Sequence, residues 1–378
     1  MALRLTATEL TETEQSLRAE VQSFLDDYLA PGTYTPGLGM AAGADKDLSR
    51  ALGARGWLGM ALPVKYGGRD ASVVERFVVV EELLRRGAQI EQHWTADRQS
   101  GLTINRYGTE EQKQALLPKI CAGEAAFCIG MSEPDSGSDL SSVTTRALKV
   151  EGGYRVTGTK IWTSNAHFCD WMICLVRTSD SEDRHAGLSQ LIVDMASPGL
   201  QVNPIPFIDG TADFAEVVLD EVFVPDSGLL GTEGDGWHQC TSELSFERAG
   251  AERWLSPYLV VETWLREHHE ELGEEARSFL GAAVAKWWGL RQVSLSVARL
   301  IDEGHAPSVE SAMGKDLGTE FEQWVMASLQ QLVELEPTLA GASEFERLFA
   351  KALLVSPSWT LRGGTNEILR GVIAKGLR

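Results

Sequence analysis

The sequence has few basic residues for its size. Its 378 residues include 34 Lys and Arg against 54 Asp and Glu, a formal net charge of −20. Nucleic acids and anionic membranes bind to cationic surfaces, so this charge disfavours both as partners. Acidity by itself identifies no substrate.

Long apolar runs and paired cysteines are also missing. No stretch of about 18 uncharged apolar residues occurs, so we expect no membrane-spanning helix. The five cysteines are an odd number and none shows Cys-x-x-Cys spacing, which favours a reduced, cytoplasmic protein. The N-terminus has no apolar run behind a basic flank, so no signal peptide is expected.

Common nucleotide and metal motifs are absent as well. One loose Gly-x-Gly match lies at 37–43, but no strand pattern precedes it, and we interpret it as a loop. No P-loop, zinc-ligand spacing or Ser/His/Asp arrangement stands out. The sequence therefore gives no reason to expect a metal enzyme or a P-loop protein.

The spacing of apolar residues divides the chain into three parts. Helical spacing dominates the N-terminal part, starting with an amphipathic helix over 9–30, and it returns after about residue 236. Between them, segments rich in β-branched and aromatic residues predict strands over 154–164, 170–178, 188–195 and 215–225. The pattern predicts an α+β multidomain protein with domains at 1–121, 122–235 and 236–378.

Two polar stretches of the middle part suggest a binding site. Residues 127–147, "FCIGMSEPDSGSDLSSVTTRA", contain a loop with many backbone and hydroxyl donors, which suits a ligand cradle; an ordinary surface loop is the alternative. "KIWTSNA" follows, with Trp162 flanked by short polar residues. An aromatic face with donors at its edge suits a planar heterocycle, although core packing is the commoner role of a single Trp.

These stretches resemble the acyl-CoA dehydrogenase family, and the resemblance covers essentially the whole chain. The order and spacing of the matching stretches make the resemblance specific. They are "ALPVKYGG" (61–68), "RYGTEEQKQALLPKICAGEAAFCIGMSEPDSGSD" (106–139), "VTGTKIWTSNA" (156–166), "VFVPDSGLLGTEGDGW" (222–237) and "GGTNEILRGVIAKGL" (363–377).

The resemblance implies a fold, a cofactor and a reaction. The fold would have an N-terminal α-helical domain, a middle β-barrel-like domain and a C-terminal four-helix-bundle domain. The cofactor would be FAD, and the reaction α,β-desaturation of an acyl thioester carried by CoA or an acyl carrier protein. Electrons would pass to an electron-transfer flavoprotein. A proton leaves the α-carbon and a hydride leaves the β-carbon, so a carboxylate base is required.

The resemblance also implies roles for individual residues. Ile129, Met131 and Ser132 would line the flavin ring, with Ser132 donating a hydrogen bond to its edge. Trp162 would stack on another part of the ring and Ser164 would hydrogen-bond to it.

Two further contacts follow from the same resemblance. Thr365, in the terminal stretch, would also contact the cofactor. Ser138 matches a position that touches the pantetheine arm of the thioester.

The base of many family members is missing. It is a Glu two residues before the Thr of the terminal stretch, where this chain has Gly363. A minority of the family carries the base earlier, and Glu247 falls on that position, followed by Arg248 as a substrate-binding candidate. An ordinary ion pair is the alternative interpretation of Glu247 and Arg248. Glu367 is interpreted as an acidic residue at a helix start.

A second departure concerns the oligomer. In the family a neighbouring subunit supplies Arg-x-x-Phe-Gly and Gln-x-x-Gly-Gly-x-Gly stretches to FAD, and this chain has neither. We therefore expect a homologous partner subunit in an α2β2 assembly, and a bulky acyl group such as a steroid side chain becomes plausible by resemblance. One alternative is a homo-oligomer that binds FAD through altered contacts or binds it weakly. Two further alternatives concern the activity: the chain could be a flavin monooxygenase or oxidase on the same fold, or a non-catalytic subunit of a mixed complex.

Overall fold

A computed structural model of the protein describes residues 3–30, 32–40, 42–247, 250–270 and 272–377. Over 242–247 only the backbone is described. The N-terminal part is helical, as predicted. Its α-helices are α1 (Glu12–Tyr28), α2 (Lys46–Ala54), α3 (Val73–Arg85), α4 (Glu91–Thr95), α5 (Gly101–Tyr107) and α6 (Glu110–Cys121).

Local sequence explains where three of these helices begin. Thr11, Ser72 and Thr109 precede α1, α3 and α6, and each accepts a hydrogen bond from the backbone three residues on. A Glu or Gln side chain at that third position accepts a hydrogen bond from the backbone of the capping residue in return, which completes a capping box. A π-helical turn, Ala96–Ser100, joins α4 to α5.

The middle part is one mixed β-sheet. Its strands are β1 (Phe127–Gly130), β2 (Arg146–Val150), β3 (Gly153–Ser164), β4 (Trp171–Arg177), β5 (Leu188–Asp194), β6 (Leu200–Ile205), β7 (Phe214–Pro225) and β8 (Leu229–Leu230). They pair in the order β6-β7-β3-β2-β4-β5-β8, and β1 lies parallel to β4. Among the described strands this path stays open, so the middle β domain is confirmed but a closed barrel is not.

Helices return after the sheet. They are α7 (Gly236–Glu247), α8 (Tyr258–His268), α9 (Glu274–Asp302), α10 (Ser308–Leu332), α11 (Glu344–Val355) and α12 (Asn366–Gly376). The helical C-terminal part is therefore confirmed, and its description as a four-helix bundle stays a prediction. No helix in the described part of the chain is both long and apolar enough to cross a membrane.

Internal contacts group the chain into two compact units. Unit 1 contains Met1–Ala42, Ser72–Gln89 and Ser245–Arg378, and unit 2 contains Gly43–Ala71 and Ile90–Leu244. Unit 2 carries the whole sheet, and unit 1 carries the helices from α8 onward. The domain boundaries at 1–121, 122–235 and 236–378 stay a prediction.

Candidate functional site

A buried ion pair fixes the polar loop that follows β1. The ammonium of Lys160, on β3, lies 2.8 Å from a carboxylate oxygen of Glu133 and also donates to the Met131 carbonyl at 3.1 Å. The Glu133 carboxylate accepts three more hydrogen bonds, from the backbone and hydroxyl of Thr144 and from the Thr145 backbone. Both ends of the loop are therefore tied to one carboxylate, and that carboxylate is tied to β3.

The electrostatics of Glu133 show how strongly the pair is held. The side chains of Lys160 and Glu133 are almost entirely buried. Burial alone would raise the pKa of Glu133, but the Lys160 charge and the hydrogen bonds outweigh burial and lower the pKa to about 2. Glu133 stays ionised at neutral pH, so its role is to fix the loop rather than to move protons.

Trp162 lies on a distorted part of β3. The register between β3 and β7 shifts between Lys160 and Thr163, and Trp162 has a left-handed φ of 58°. Bulges of this kind re-aim a side chain, and a strained non-glycine residue is typical of a functional position. The indole meets Phe214 edge-on and is still 55% exposed, so a large aromatic face is available.

Two hydroxyls flank this face and lack protein partners. The Ser132 carbonyl accepts a hydrogen bond from the Ile161 backbone at 2.9 Å, which brings Ser132 next to Trp162. Among the described residues, neither the Ser132 nor the Ser164 hydroxyl has a hydrogen-bond partner, and the buried Thr163 hydroxyl has none either. A flat heterocycle with polar edges fits this surface. Its ring can stack on the Trp162 indole, and its edge atoms can form hydrogen bonds with the unpartnered hydroxyls.

The other residues predicted on this unit lie on the same loop or its strand. Ile129, near the end of β1, and Met131 are both partly buried and pack against unit 2 clusters. Ser138 is exposed near the tip of the loop, beside Asp139. Hydrogen bonds from Ser142, Arg184 and Ser141 lower the pKa of Asp139 to about 2. This network orders the chain around Ser138 without using its hydroxyl.

Glu247 and Thr365, two of the remaining predicted residues, lie on unit 1. Glu247 is the last residue of α7, but its side chain lies outside what is described, and Arg248 lies outside the described residues altogether. Thr365 precedes α12 and its hydroxyl accepts from the Ile368 backbone, so it caps that helix. Glu367 lies in the first turn of α12, as expected for an acidic residue at a helix start.

The two glycines before Thr365 form a left-handed turn. Gly363 has φ 65° and Gly364 has φ 97°, a region that favours glycine. A Cβ at position 363 would lie 2.8 Å from a terminal nitrogen of Arg253, whose side chain is buried. The space that a side chain at position 363 would need is therefore taken by a guanidinium group.

Substitution of Gly363 by Ala should destabilise the protein. We expect a loss of about 1–3 kcal/mol, because the new Cβ adds left-handed backbone strain and a close contact with Arg253. Urea unfolding of both proteins measures the loss. Gly371→Ala is the matched control: Gly371 lies in α12 with open space around it, so alanine there should be neutral or stabilising. Equal stabilities of Gly363→Ala and the parent would contradict the described turn.

Sequence reasoning missed the residues that build this surface. Glu133 and Lys160 both lie in the quoted stretches, but their pairing across 27 residues has no signature in one sequence. The contact between Arg253 and Gly363 is likewise invisible without coordinates. Among the described residues, no group of three or more His, Cys, Asp or Glu could hold a metal, and the five cysteines are free and buried.

Comparison with known proteins agrees with the geometry of both units. The chain matches family models for the acyl-CoA dehydrogenase N-terminal domain over 11–124, the middle domain over 128–222 and the C-terminal domain over 273–378. Acyl-CoA dehydrogenase IpdE1 of Mycobacterium tuberculosis is 32% identical, with 96% of each chain covered. Acyl-CoA dehydrogenase FadE34 of the same organism is 31% identical over 86% of this chain, which spans only 45% of that protein.

Solved structures give the same result. The Tcur3481-Tcur3483 steroid ACAD has a TM-score of 0.84 at 27% identity, with 98% of each chain covered. The ChsE4-ChsE5 complex of M. tuberculosis has a TM-score of 0.83 at 27% identity, covering 99% of this chain and 100% of that one. The chain thus belongs to the acyl-CoA dehydrogenase family, whose members are FAD-binding oxidoreductases.

Proposed function

We propose that this chain catalyses α,β-desaturation of an acyl thioester, with Glu247 removing the α-proton. The observation that carries the proposal is the Trp162 face, with its two unpartnered hydroxyls, Ser132 and Ser164. FAD held against this face would supply the acceptor for the β-hydride. Ile129, Met131 and Thr365 are the further residues that would hold it.

The choice of base rests on what the terminal turn contains. Gly363 has no side chain, and Arg253 occupies the space that one would enter. Glu367 is a poor alternative: its own backbone amide and the Thr365 hydroxyl lower its pKa, and a weaker base removes an α-proton less readily. Glu247, at the end of α7, falls on the position where a minority of the family carries the base, which supports the proposed role.

The substrate-binding residues follow the same proposal. Ser138 would contact the pantetheine arm, and its exposed place on an ordered loop supports this. Arg248 would bind the substrate next to the base. A CoA thioester and an acyl carrier protein thioester both remain candidates. A bulky acyl group such as a steroid side chain is supported by the similar protein named as a steroid ACAD.

The partner is proposed to be a homologous chain in an α2β2 assembly. The chain lacks both stretches with which a neighbouring family subunit contacts FAD. Two similar solved structures, the Tcur3481-Tcur3483 steroid ACAD and the ChsE4-ChsE5 complex, support a mixed assembly. A different chain that supplies the missing stretches would complete the FAD site. An electron-transfer flavoprotein is the proposed electron acceptor, and the cytoplasm the proposed location.

The test is a visible spectrum followed by an anaerobic substrate titration. We expect flavin absorbance to be low in the chain purified alone and full after co-expression with a homologous partner. Adding a steroid-side-chain acyl-CoA without oxygen should then bleach the flavin band. Full flavin in the chain alone would overturn the mixed assembly. Flavin that no acyl thioester bleaches, but that reoxidises rapidly with oxygen after chemical reduction, would favour a monooxygenase or oxidase instead.

A further inference from the structure

A network of buried charges lies beneath the turn that carries Thr365. Four of its members are almost fully buried and the fifth, Arg362, is 14% exposed; they come from three separate segments of unit 1. They are Glu252, Arg253, Lys315, Glu322 and Arg362. Burying charges is unfavourable unless each is well paired, so a network of this size needs a structural or functional reason.

We propose that Lys315 is a positioning residue that clasps both ends of this turn and so places Thr365 for the cofactor. The Lys315 ammonium, on α10, donates to the Thr360 carbonyl at 2.9 Å and to the Asn366 side-chain oxygen at 2.9 Å. Those two acceptors lie immediately before and after 361–365. One buried ammonium therefore joins the start of the turn to the start of α12.

Two glycines make the backbone of the turn intrinsically flexible. Gly363 and Gly364 are both left-handed, and glycine adopts many other conformations at small energetic difference. Arg362, directly before them, is anchored to Glu322 at 2.6 Å and to the Ser256 hydroxyl at 3.1 Å. These two contacts fix the turn on the N-terminal side of the glycines. The Lys315 clasp reaches the far side at Asn366, directly after Thr365. Farther along α12, Arg370 also pairs with Asp316 on α10, at the protein surface.

The electrostatic surroundings of Lys315 argue against an accidental contact. Burial lowers its pKa to about 8, and the nearby positive charges of Arg253 and Arg362 contribute to the decrease. Asp316 and Glu322 oppose it. The hydrogen bonds that Lys315 donates at the turn offset the free-energy cost of burying its ammonium group near two other positive charges.

The role for Thr365 rests on the proposed function, whereas the clasp itself can be tested without it. Lys315→Met removes the ammonium but keeps most of the side-chain length. Asn366→Ala removes one acceptor at a partly exposed helix position, and Asn366→Asp restores an oxygen there. Gln323→Leu is the matched control, because it breaks another α10 contact, the 2.7 Å bond from Gln323 to the Ser356 carbonyl, away from the turn.

The main measurement is hydrogen exchange, by mass spectrometry, of peptides covering 361–369 in the purified, FAD-loaded protein. Lys315→Met and Asn366→Ala should each speed exchange there by roughly ten-fold, without a matching change elsewhere. Asn366→Asp should stay close to the parent. Gln323→Leu should lower the melting temperature but leave 361–369 unchanged relative to the rest. The double variant should be no faster than the faster single variant, because both break one clasp.

A second measurement connects the clasp to function. Lys315→Met and Asn366→Ala should slow acyl-CoA-driven flavin reduction by roughly ten-fold or more, while Gln323→Leu does not. Parent-like exchange at 361–369 in Lys315→Met, or equal exchange in the Gln323→Leu control, would overturn the clasp. Faster exchange in Lys315→Met with a normal rate of flavin reduction would mean that Lys315 only stabilises the fold, and would overturn its positioning role. A parent enzyme that no acyl thioester reduces would overturn the proposed function but leave the exchange result intact.

Discussion

Replacing Glu247 by Gln is expected to slow acyl-CoA-driven flavin reduction by roughly 10³-fold, the usual contribution of a positioned general base. The amide has the shape of the carboxylate but cannot accept the α-proton. Substrate affinity should change little, because the reacting group is altered and the rest of the site is not. Anaerobic stopped-flow absorbance measures the reduction rate, and an equilibrium titration with the same acyl-CoA measures affinity.

Glu367→Gln is the matched control for this experiment. Glu367 is an exposed carboxylate close to the terminal turn, in the first turn of α12. Its substitution should leave the reduction rate within about two-fold, because a surface carboxylate away from the α-carbon contributes little to proton transfer. A parent-like rate in Glu247→Gln, or a large loss in Glu367→Gln, would contradict the assignment of the base.

Replacing Lys160 by Met should cause the largest loss of stability. The variant leaves the Glu133 carboxylate buried without its cation, which typically costs about 3–5 kcal/mol. Urea unfolding at neutral pH measures the loss. The control is Lys149→Met, since Lys149 pairs with Asp226 on the surface and should contribute less than about 1 kcal/mol. Similar losses in the two variants would contradict the buried pair.

The same pair should give a characteristic dependence of stability on pH. The folded pKa of Glu133 is about 2, below its ordinary value of 4.5. The stabilising contribution is therefore complete above pH 4.5 and is lost as pH falls toward 2; it amounts to about 3 kcal/mol. In Lys160→Met, the buried carboxyl is more easily protonated than in the unfolded chain. Acidification over the same range should then recover stability instead of removing it.

The strands show where sequence reasoning succeeds. The predicted segments became β3, β4, β5 and β7, all at least seven residues long and rich in buried β-branched and aromatic residues. The missed strands are short or mostly exposed. Most side chains of β2 are exposed, and β6 contains Pro204. Such strands form because neighbouring strands pair with them, which a single segment does not reveal.

The sequence predicted some features of the candidate site on each unit and missed others. The aromatic and hydroxyl composition around Trp162 pointed to a flat ligand, and the structure shows that face exposed and its hydroxyls unpartnered. The left-handed backbone of Trp162 was not predictable, because the strain depends on the bulge against β7. The glycine at position 363 was visible, but the guanidinium that fills its place comes from 110 residues away.

The contact between Arg253 and Gly363 also limits how this enzyme can be redesigned. A glutamate introduced at position 363 would meet the Arg253 guanidinium at once, form an ion pair with it and become a weaker base. Removing Arg253 alone would leave Glu252 buried beside an empty space. Moving the base from α7 to the terminal turn therefore requires coordinated changes at 252, 253 and 363. A variant with only some of these changes should be less stable or less active than both the parent and the fully changed protein.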